Sequence, residues 1–457
     1  IVMYPHNARA FTSTLIGHLY ELAQQHTVVL LTEPLPPSYR ELLARKDLFP
    51  GLERIETISG LGFTVRDLLA NNRRWLRLAE WAIDSFTPDL VVTENDVSSL
   101  FDMYLLRAAR RRGVRRLTIQ GMGQVRDRDN RRFVELLHVC RGGVQPSPAV
   151  ALWRLLRCRV RKRVAHILVH YLLPWAAGHG ALHGRSSNIT FAGAPGMRDS
   201  ELHLVQSDAQ HEVFIQSGVQ PNRLAVLDHP LTRVPRNVFL PDQEGAPVKS
   251  GLRGRFLVLM SACPFGFKKG SGALIATADR RALRLAIVAE IRRALPGWQV
   301  VVKAHPDFGS LEDVRNYFGL VGDDLVFADP RDSVEPLLPT VDAVLDLPGP
   351  WTSTLVTAAN AFPGMPVIAA DLDNDYIGDV YRHWPGIEYV GTMTSLTALL
   401  GRVSDGTYVK HPNEPGSAPP VRRFRTTLEA ASSLLHERSC RLTQCGQTGQ
   451  KDLGMEA

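Results

Sequence analysis

Short apolar runs and helical segments alternate along most of this chain, and this alternation constrains its fold more than any other feature. The runs from Thr27 to Leu31 and from Trp298 to Val302 have the length of a buried strand. Segments with apolar residues three or four positions apart follow such runs. Parallel strands need a long crossover connection, which a helix usually supplies. The alternation therefore predicts an α/β protein with doubly wound parallel sheets.

The alternation occurs twice, which predicts two Rossmann-like domains. At 457 residues the chain is also too long for one ordinary hydrophobic core. We expect an N-terminal domain over residues 1–235, a Pro- and Gly-rich linker over 236–254 and a C-terminal domain over 255–404. A Pro-rich connector, a terminal helix and a frayed tail are expected over 405–457.

Composition bears on the compartment and on metal binding. The five cysteines are scattered without a Cys-x-x-Cys pair, so no zinc site is expected and the pattern fits a reducing compartment. No signal peptide is recognised, and no apolar stretch reaches the ~20 residues that a bilayer span requires. These observations predict a cytoplasmic protein.

A basic segment at about residues 131–184 interrupts the alternation. Arginines and Lys162 are interleaved with Leu, Val and Trp between Trp153 and Trp175. A basic amphipathic helix predicts peripheral contact with an anionic membrane surface, here the inner face of the plasma membrane. The alternative is a buried helix with a solvated basic face. Nucleic acid is not an expected partner, because aromatic residues are sparse and no nucleic-acid-binding pattern occurs.

The segment 303–306 (KAHP) follows an apolar strand of the second unit. Ligands of open α/β sheets collect at the carboxyl ends of the strands. Lys303 offers a point charge and His305 a hydrogen-bond donor or acid, both of which suit a phosphate-bearing ligand. The alternative is a solvated loop in which the two residues occur by chance.

A second strand end of the same unit strengthens the phosphate interpretation. Asp346 ends a strand, and a Pro- and Gly-rich turn then leads to Ser353 and Thr354, which open a helix. A helix N-terminus attracts anions through its unpaired N–H groups and its dipole. The alternative role of Ser353 and Thr354 is ordinary helix capping. Ser261 follows the first strand of the unit and is predicted to line the same cleft, unless its turn is a plain loop.

The first unit has acidic residues at a comparable position. Glu94 and Asp96 follow the strand that ends at Thr93, where a carboxylate can act as general base on an acceptor hydroxyl. Asp96 can instead cap the next helix. Three further residues at strand ends are predicted to line the acceptor side: His6, Asn7 and Gln120.

These motifs resemble those of GT-B glycosyltransferases. The His305-Pro306 strand end and the later Ser353-Thr354 pair are similar to motifs of bacterial surface-polysaccharide enzymes. Among those enzymes are capsule synthesis proteins, sialyltransferases and CDP-glycerol glycerophosphotransferases. The stretch from Leu204 to Pro230 also resembles the end of their N-terminal domain. The resemblance implies two Rossmann-like domains facing across a cleft, with the donor nucleotide bound mainly by the C-terminal one.

The function expected from these observations is glycosyl transfer without a metal ion or other cofactor. The nucleotide-activated sugar is a substrate, and the acceptor is a glycan or a lipid-linked glycan. His305 would stabilise the leaving phosphate, and Glu94 or Asp96 would deprotonate the acceptor. Two alternatives remain open: a UDP-N-acetylglucosamine 2-epimerase-like enzyme with the same fold, and a catalytically silent scaffold of polysaccharide assembly.

Overall fold

The structure is a computed structural model of the whole chain. It describes residues 1–5, 11, 15–35, 37–58, 65–94, 100–120, 148–168, 172, 199–206, 208–228, 230, 233–235, 238, 253–260, 277–305, 310–319, 325–332, 334–347, 353–373, 381, 386–409 and 421–436. Within these ranges, no helix combines the length and the apolar character that crossing a membrane requires.

Fourteen strands of the described ranges form two sheets, and every strand pairing in them is parallel. The strands are β1 Val2–Tyr4, β2 Val28–Thr32, β3 Leu52–Thr57, β4 Leu90–Thr93, β5 Arg115–Ile119, β6 Leu202–Val205, β7 Leu224–Leu227, β8 Gly254–Met260, β9 Trp298–Ala304, β10 Val326–Ala328, β11 Ala343–Asp346, β12 Val367–Ala370, β13 Glu388–Val390 and β14 Arg423–Phe424.

Helices connect most of these strands. They are α1 Ile16–Ala23, α2 Pro37–Ala44, α3 Val65–Phe86, α4 Leu100–Arg111, α5 Pro148–Ile167, α6 Asp208–Gln216, α7 Thr277–Ala294, α8 Leu311–Phe318, α9 Ser353–Ala361, α10 Met393–Ser404 and α11 at 427–436. The helices cover the sheets with apolar faces: Trp75, Ala79 and Ile83 of α3 lie four residues apart and are buried. Gly218 follows α6 with a φ of 95°, a left-handed conformation that favours glycine at a helix end.

The two sheets share one strand order. The first runs β14-β7-β6-β5-β4-β1-β2-β3, and the second runs β10-β9-β8-β11-β12-β13. Apart from the added β7 and β14, each sheet reads 3-2-1-4-5-6 when its own strands are counted from one, which is the Rossmann order. The predicted fold class is therefore confirmed in its architecture: an α/β protein with two Rossmann-like, doubly wound parallel sheets.

The end of the chain returns to the first sheet. Strand β14 pairs with β7, so that Arg423 lies opposite Val226 and Phe424 opposite Leu227. Helix α11 follows, and its Ala430 and Ala431 are fully buried in the main hydrophobic cluster. A helix is thus present in the region where the sequence predicts the terminal helix, and a short strand precedes it.

Several elements escape prediction from the sequence. Strand β3 lies at the edge of the first sheet and has three charged residues among its six, and its residues are mostly exposed or half-buried. Strand β14 has only two residues, and the helices α2 and α8 have eight each. Strand β9 was expected to end at Val302 but continues to Ala304, so Lys303 lies inside the strand.

Candidate active site at the carboxyl ends of the two sheets

The strand order defines one switch point in each sheet. Strands β8 and β11 are neighbours in the second sheet, but the strands that follow them extend towards opposite edges. The same holds for β1 and β4 in the first sheet. The crevice beyond the carboxyl ends of such strands is where open α/β sheets bind their ligands. The residues at these four strand ends are therefore the candidates for binding and catalysis.

Asp346 ends β11 at the switch point of the second sheet. Its side chain is buried, and the backbone of Asp346 pairs with Leu259 of β8, which in turn pairs with Lys303 of β9. Burial raises the pKa of the Asp346 carboxyl well above its usual range, while the charges of Arg284 and Arg280 oppose this rise. Among the described residues, no hydrogen bond reaches its Oδ1 atom. Burial therefore favours the neutral, proton-carrying form of this carboxyl group over its charged form.

Two fully buried arginines of α7 stand beside this carboxyl group. Arg280 forms an ion pair with Asp373 at 3.0 Å, and its Nε atom donates to the same carboxylate at 3.1 Å. Arg284 lies one turn further along α7, and burial lowers the pKa of its guanidinium. A buried arginine needs a compensating anion or hydrogen-bond acceptor. The group of Arg280, Arg284 and Asp373 contains two cations and one anion, so it has one positive charge in excess.

Lys303 lies in β9, and its side chain contacts backbone carbonyl groups. It is 5% exposed. Its Nζ atom donates to the carbonyl oxygen of Ala304 at 3.0 Å and to that of Pro330 at 2.9 Å. The ammonium group thus anchors the turn after β10 to β9. Its predicted role as a phosphate ligand therefore competes with a structural one.

His305 is the first residue after β9 and is exposed. Its backbone N–H donates to the carbonyl oxygen of Met260, the last residue of β8, at 2.8 Å. This bond extends the ladder by one residue, so the backbone of His305 is held beside the switch point. The imidazole is attached at the carboxyl end of the sheet, as the sequence predicts.

The helix predicted to present hydroxyl groups begins at Ser353. Thr354 is the second residue of α9 and its side chain is buried. Several predicted site residues lie outside the described residues: Ser261, Asp96, His6, Asn7 and the side chain of Ser353.

Glu94 and Tyr4 mark the switch point of the first sheet. Tyr4 ends β1 and pairs with Thr93 of β4, so Glu94 follows one residue beyond this pair. Burial raises the pKa of the Tyr4 hydroxyl well above its usual range, and the nearby carboxylates of Asp102, Glu33 and Glu94 add to this rise. Glu94 is half-buried. The amino-acid types and positions fit a general base next to a hydroxyl-bearing substrate.

Asp102 belongs to this acidic group and escaped the sequence analysis. It lies in the first turn of α4 and is fully buried. A carboxylate in that position is stabilised by the positive end of the helix dipole. The sequence offered one signal for Asp102, which is an acidic residue in the first turn of the helix that follows Glu94. The buried arginines of α7 were missed for a similar reason, because their helix reads as an ordinary charged surface helix.

Gln120 is engaged with neighbouring strand ends. It follows β5 and is 3% exposed. Its Oε1 atom accepts from the backbone N–H of Gln206 at 3.1 Å, its carbonyl oxygen accepts from the Gln206 side chain at 3.2 Å, and its Nε2 atom donates to Gln210. The amide therefore joins the carboxyl ends of β5 and β6. Its predicted contact with an acceptor has to compete with these bonds.

Metal ligands and cavities were considered over the same ranges. Among the described residues, no group of three or more histidines, cysteines and carboxylates lies close enough together to hold a metal ion. A surface depression of about 400 Å³ is lined by Gly297, Trp298 and Leu325. It lies at the amino-terminal end of β9, away from both switch points, and is not part of the candidate site.

No protein-family model matches the chain, and no curated protein matches it. Solved structures of similar architecture include the UDP-N-acetylglucosamine 2-epimerase from Rickettsia bellii, at 10% identity and a TM-score of 0.45 over 97% of this chain and 96% of that one. The UDP-GlcNAc 2-epimerase from Neisseria meningitidis, bound to UDP-GlcNAc, is 12% identical with a TM-score of 0.46 over 96% and 99%. A spinosyn rhamnosyltransferase complexed with spinosyn aglycone is 14% identical with a TM-score of 0.40 over 89% and 90%.

Proposed function

We propose that this chain is a GT-B glycosyltransferase that needs no metal ion. It moves a sugar, or a polyol phosphate, from a nucleotide-activated donor to a glycan or lipid-linked acceptor of the cell surface. One observation carries the proposal: each sheet has a carboxyl group at its switch point, Glu94 in the first and Asp346 in the second. This arrangement supplies one ionisable group to each of two substrates.

The groups around Asp346 suit a donor diphosphate. The group of Arg280, Arg284 and Asp373 contains two cations and one anion, and this excess of positive charge attracts an anion, while burial favours the uncharged form of Asp346. His305 follows the neighbouring strand and would donate a hydrogen bond to the leaving phosphate. Preorganised donors of this kind contribute about 2.7–4 kcal/mol each to transition-state stabilisation. Four further residues remain predicted phosphate ligands: Lys303, Ser353, Thr354 and Ser261.

The acidic group around Tyr4 suits the acceptor. Glu94 would take the proton of an acceptor hydroxyl while the hydroxyl oxygen attacks the anomeric carbon of the sugar. The bond from that carbon to the donor phosphate breaks, and its electron pair leaves with the nucleotide, where His305 stabilises the new charge. Four residues remain predicted on this side: Asp96 as the other candidate base, and His6, Asn7 and Gln120 as acceptor contacts.

An epimerase is the second candidate. It would bind a nucleotide sugar at the same carboxyl end of the second sheet but would need no acceptor. The bonds of Gln120 to Gln206 and Gln210 favour this reading, because they occupy a residue predicted to contact the acceptor. A catalytically silent scaffold is the third candidate, and it would leave the ionisable groups without a chemical role.

A two-stage experiment separates the three candidates. First, thermal unfolding is followed with a panel of nucleoside diphosphates, since a ligand at a hundredfold excess over its Kd stabilises by ~2.7 kcal/mol. The matching nucleotide sugar is then incubated with and without glycan acceptors, and the products are followed by NMR. Product that forms only with acceptor supports the transferase, and an altered sugar without acceptor supports the epimerase. A protein that responds to no nucleotide is not an enzyme of either kind.

A further inference from the structure

Solvent-exposed apolar side chains are concentrated on helix α5. Among the described residues, eleven large hydrophobic side chains are exposed, and eight of these lie between Val150 and Leu172. Six of them on the helix itself are more than half exposed: Leu152, Trp153, Leu156, Val160, Val164 and Ile167. Single exposed hydrophobic residues are normal, but a contiguous group on one element marks an interaction site.

The exposed residues form one stripe along the helix. Leu152, Leu156, Val160 and Val164 follow each other at intervals of four residues, and Ile167 comes three residues later. Residues at this spacing share one helix face. Leu155 lies off this face and is partly buried, and Leu168, directly after α5, packs against the hydrophobic cluster of α3 and α4. The stripe is therefore the outward face of a helix that is anchored to the first domain.

The charges of α5 indicate what covers the stripe. The helix contains five arginines and one lysine and no aspartate or glutamate. Arg157 and Arg163 are exposed, and the Arg157 guanidinium lies 5.2 Å from the centre of the Trp153 ring. A symmetric contact with a second copy would bring like charges together and is disfavoured. An anionic lipid surface attracts these cations and accepts the apolar stripe at the same time.

We propose that the outward face of α5 docks the protein on an anionic phospholipid bilayer. The apolar stripe enters the headgroup region, with Trp153 at the boundary between water and lipid, where amphipathic aromatic rings are favoured. Arg157 and Arg163 contact lipid phosphates. This docking goes beyond the proposed catalytic function, because it depends on neither switch point and applies equally to an enzyme or a scaffold.

Vesicle flotation of the full-length protein tests the electrostatic part. Binding is expected to vesicles of equal parts phosphatidylglycerol and phosphatidylcholine, to weaken as salt rises and to be much weaker on pure phosphatidylcholine. The double variant Arg157→Gln, Arg163→Gln should lower the partition coefficient about 30-fold, because each basic residue at an anionic surface contributes about fivefold. The matched control replaces two exposed arginines of α3, Arg73→Gln and Arg77→Gln, and should bind normally.

A second pair of variants tests the apolar part. Leu156→Ser with Val160→Ser should lower the partition coefficient at least tenfold, since the insertion of apolar surface into the lipid is lost. Both residues are exposed, so the circular dichroism spectrum and the unfolding temperature should stay unchanged. Val409→Ser, at an exposed apolar residue outside the stripe, is the control.

Three results would overturn the proposal. The first is no binding to anionic vesicles, or equal binding to neutral ones. The second is a protein dimer that the Leu156 and Val160 substitutions abolish, without vesicle binding, which assigns the face to a second copy. The third is oligonucleotide binding that the arginine variant abolishes, again without vesicle binding.

Discussion

Glu21 accepts a hydrogen bond from the backbone N–H of Thr427 at 2.7 Å, although 406 residues separate the two in sequence. The Glu21 carboxylate also pairs with Arg233 at 2.8 Å, and His18 shares a 2.7 Å hydrogen bond with the Thr427 hydroxyl. Thr427 is the first residue of α11, where a carboxylate interacts favourably with the helix dipole. This group of four side chains thus holds the end of the chain on the first domain.

Substitution of Glu21 by Gln should weaken this attachment. The substitution removes the negative charge that pairs with Arg233 and interacts with the positive end of the α11 dipole. This charge is largely buried, since the Glu21 side chain is 8% exposed. The free energy of unfolding should fall by about 1–3 kcal/mol, because charge-assisted hydrogen bonds at partly buried sites contribute that much. Urea unfolding measures it. The control Arg45→Gln breaks an exposed ion pair with Asp47 and should leave the free energy of unfolding nearly unchanged, because solvent screens such pairs. Equal effects of the two variants would contradict the role of Glu21.

Two buried histidines should make the protein acid-sensitive. Burial lowers the pKa of His18, with help from the Arg233 charge, and of His203, each to about 3. The unfolded chain titrates near 6.5, so it binds more protons than the folded chain between the two values, and stability falls as the pH drops below 6.5. Each histidine should contribute a loss of about 2 kcal/mol between pH 7 and pH 5.

Urea unfolding at several pH values checks this acid sensitivity. The variants His203→Gln and His18→Gln should each show a shallower fall of stability with acid than the unmodified protein. The variants are compared by the slope of the free energy of unfolding against pH. A substitution that lowers stability equally at every pH leaves this slope unchanged. An unchanged slope in both variants would show that neither histidine is buried in its neutral form.

Asp346→Asn should leave stability at pH 7 unchanged or raise it. The pKa of Asp346 is higher in the folded protein than in the unfolded chain, so ionisation of Asp346 opposes folding above about pH 4. Asparagine resembles the neutral carboxyl group in shape. Arg280→Met is the contrasting variant, because it leaves the carboxylate of Asp373 buried without its cation and should cost about 3–5 kcal/mol. Chemical denaturation compares the two. A loss above about 1 kcal/mol in Asp346→Asn would show an ionised carboxylate paired with arginine.

His305→Ala should abolish transfer while the fold stays intact. His305 is exposed beyond the end of β9, so its truncation removes no core packing. The defect should appear in kcat rather than KM, because a group that stabilises the leaving phosphate acts in the transition state. His436→Ala, at an exposed histidine of α11, is the control. Full turnover in His305→Ala with the true donor and acceptor would refute the proposed mechanism.

The pH profile of turnover should identify the general base. Glu94→Gln and Asp96→Asn are compared in parallel, and the acidic limb should disappear in only one of them. The position of Glu94 at the switch point makes it the expected base. Retention of the acidic limb in Glu94→Gln, together with its loss in Asp96→Asn, would assign the role to Asp96 instead.

Most of the fold was predictable because buried parallel strands have a strong sequence signal. Runs such as those of β2 and β9 are mostly apolar. Strand β3 lacks this signal because it lies at an edge, where one side of the strand meets water. Strand β14 has two residues and forms only through a long-range pairing with β7, which no local pattern encodes.

The candidate site was predictable only where chemistry follows a strand directly. His305 and Glu94 were found in this way, since each is the first residue beyond its strand. Arg280 and Arg284 could not be found, because two arginines on a helix usually face solvent. The carboxyl groups beside them, Asp373 after β12 and Asp346 at the end of β11, are distant in sequence.

The return of β14 has a consequence for how the protein is made. Strand β7 leaves the ribosome with one edge unpaired, and its partner is synthesised only after the whole second sheet. The edge of β7 therefore stays open to pairing with other chains until the residues that follow the second sheet have been translated. All strands of the second sheet are synthesised before this edge can close, so a segment encoded after the second domain completes the sheet of the first.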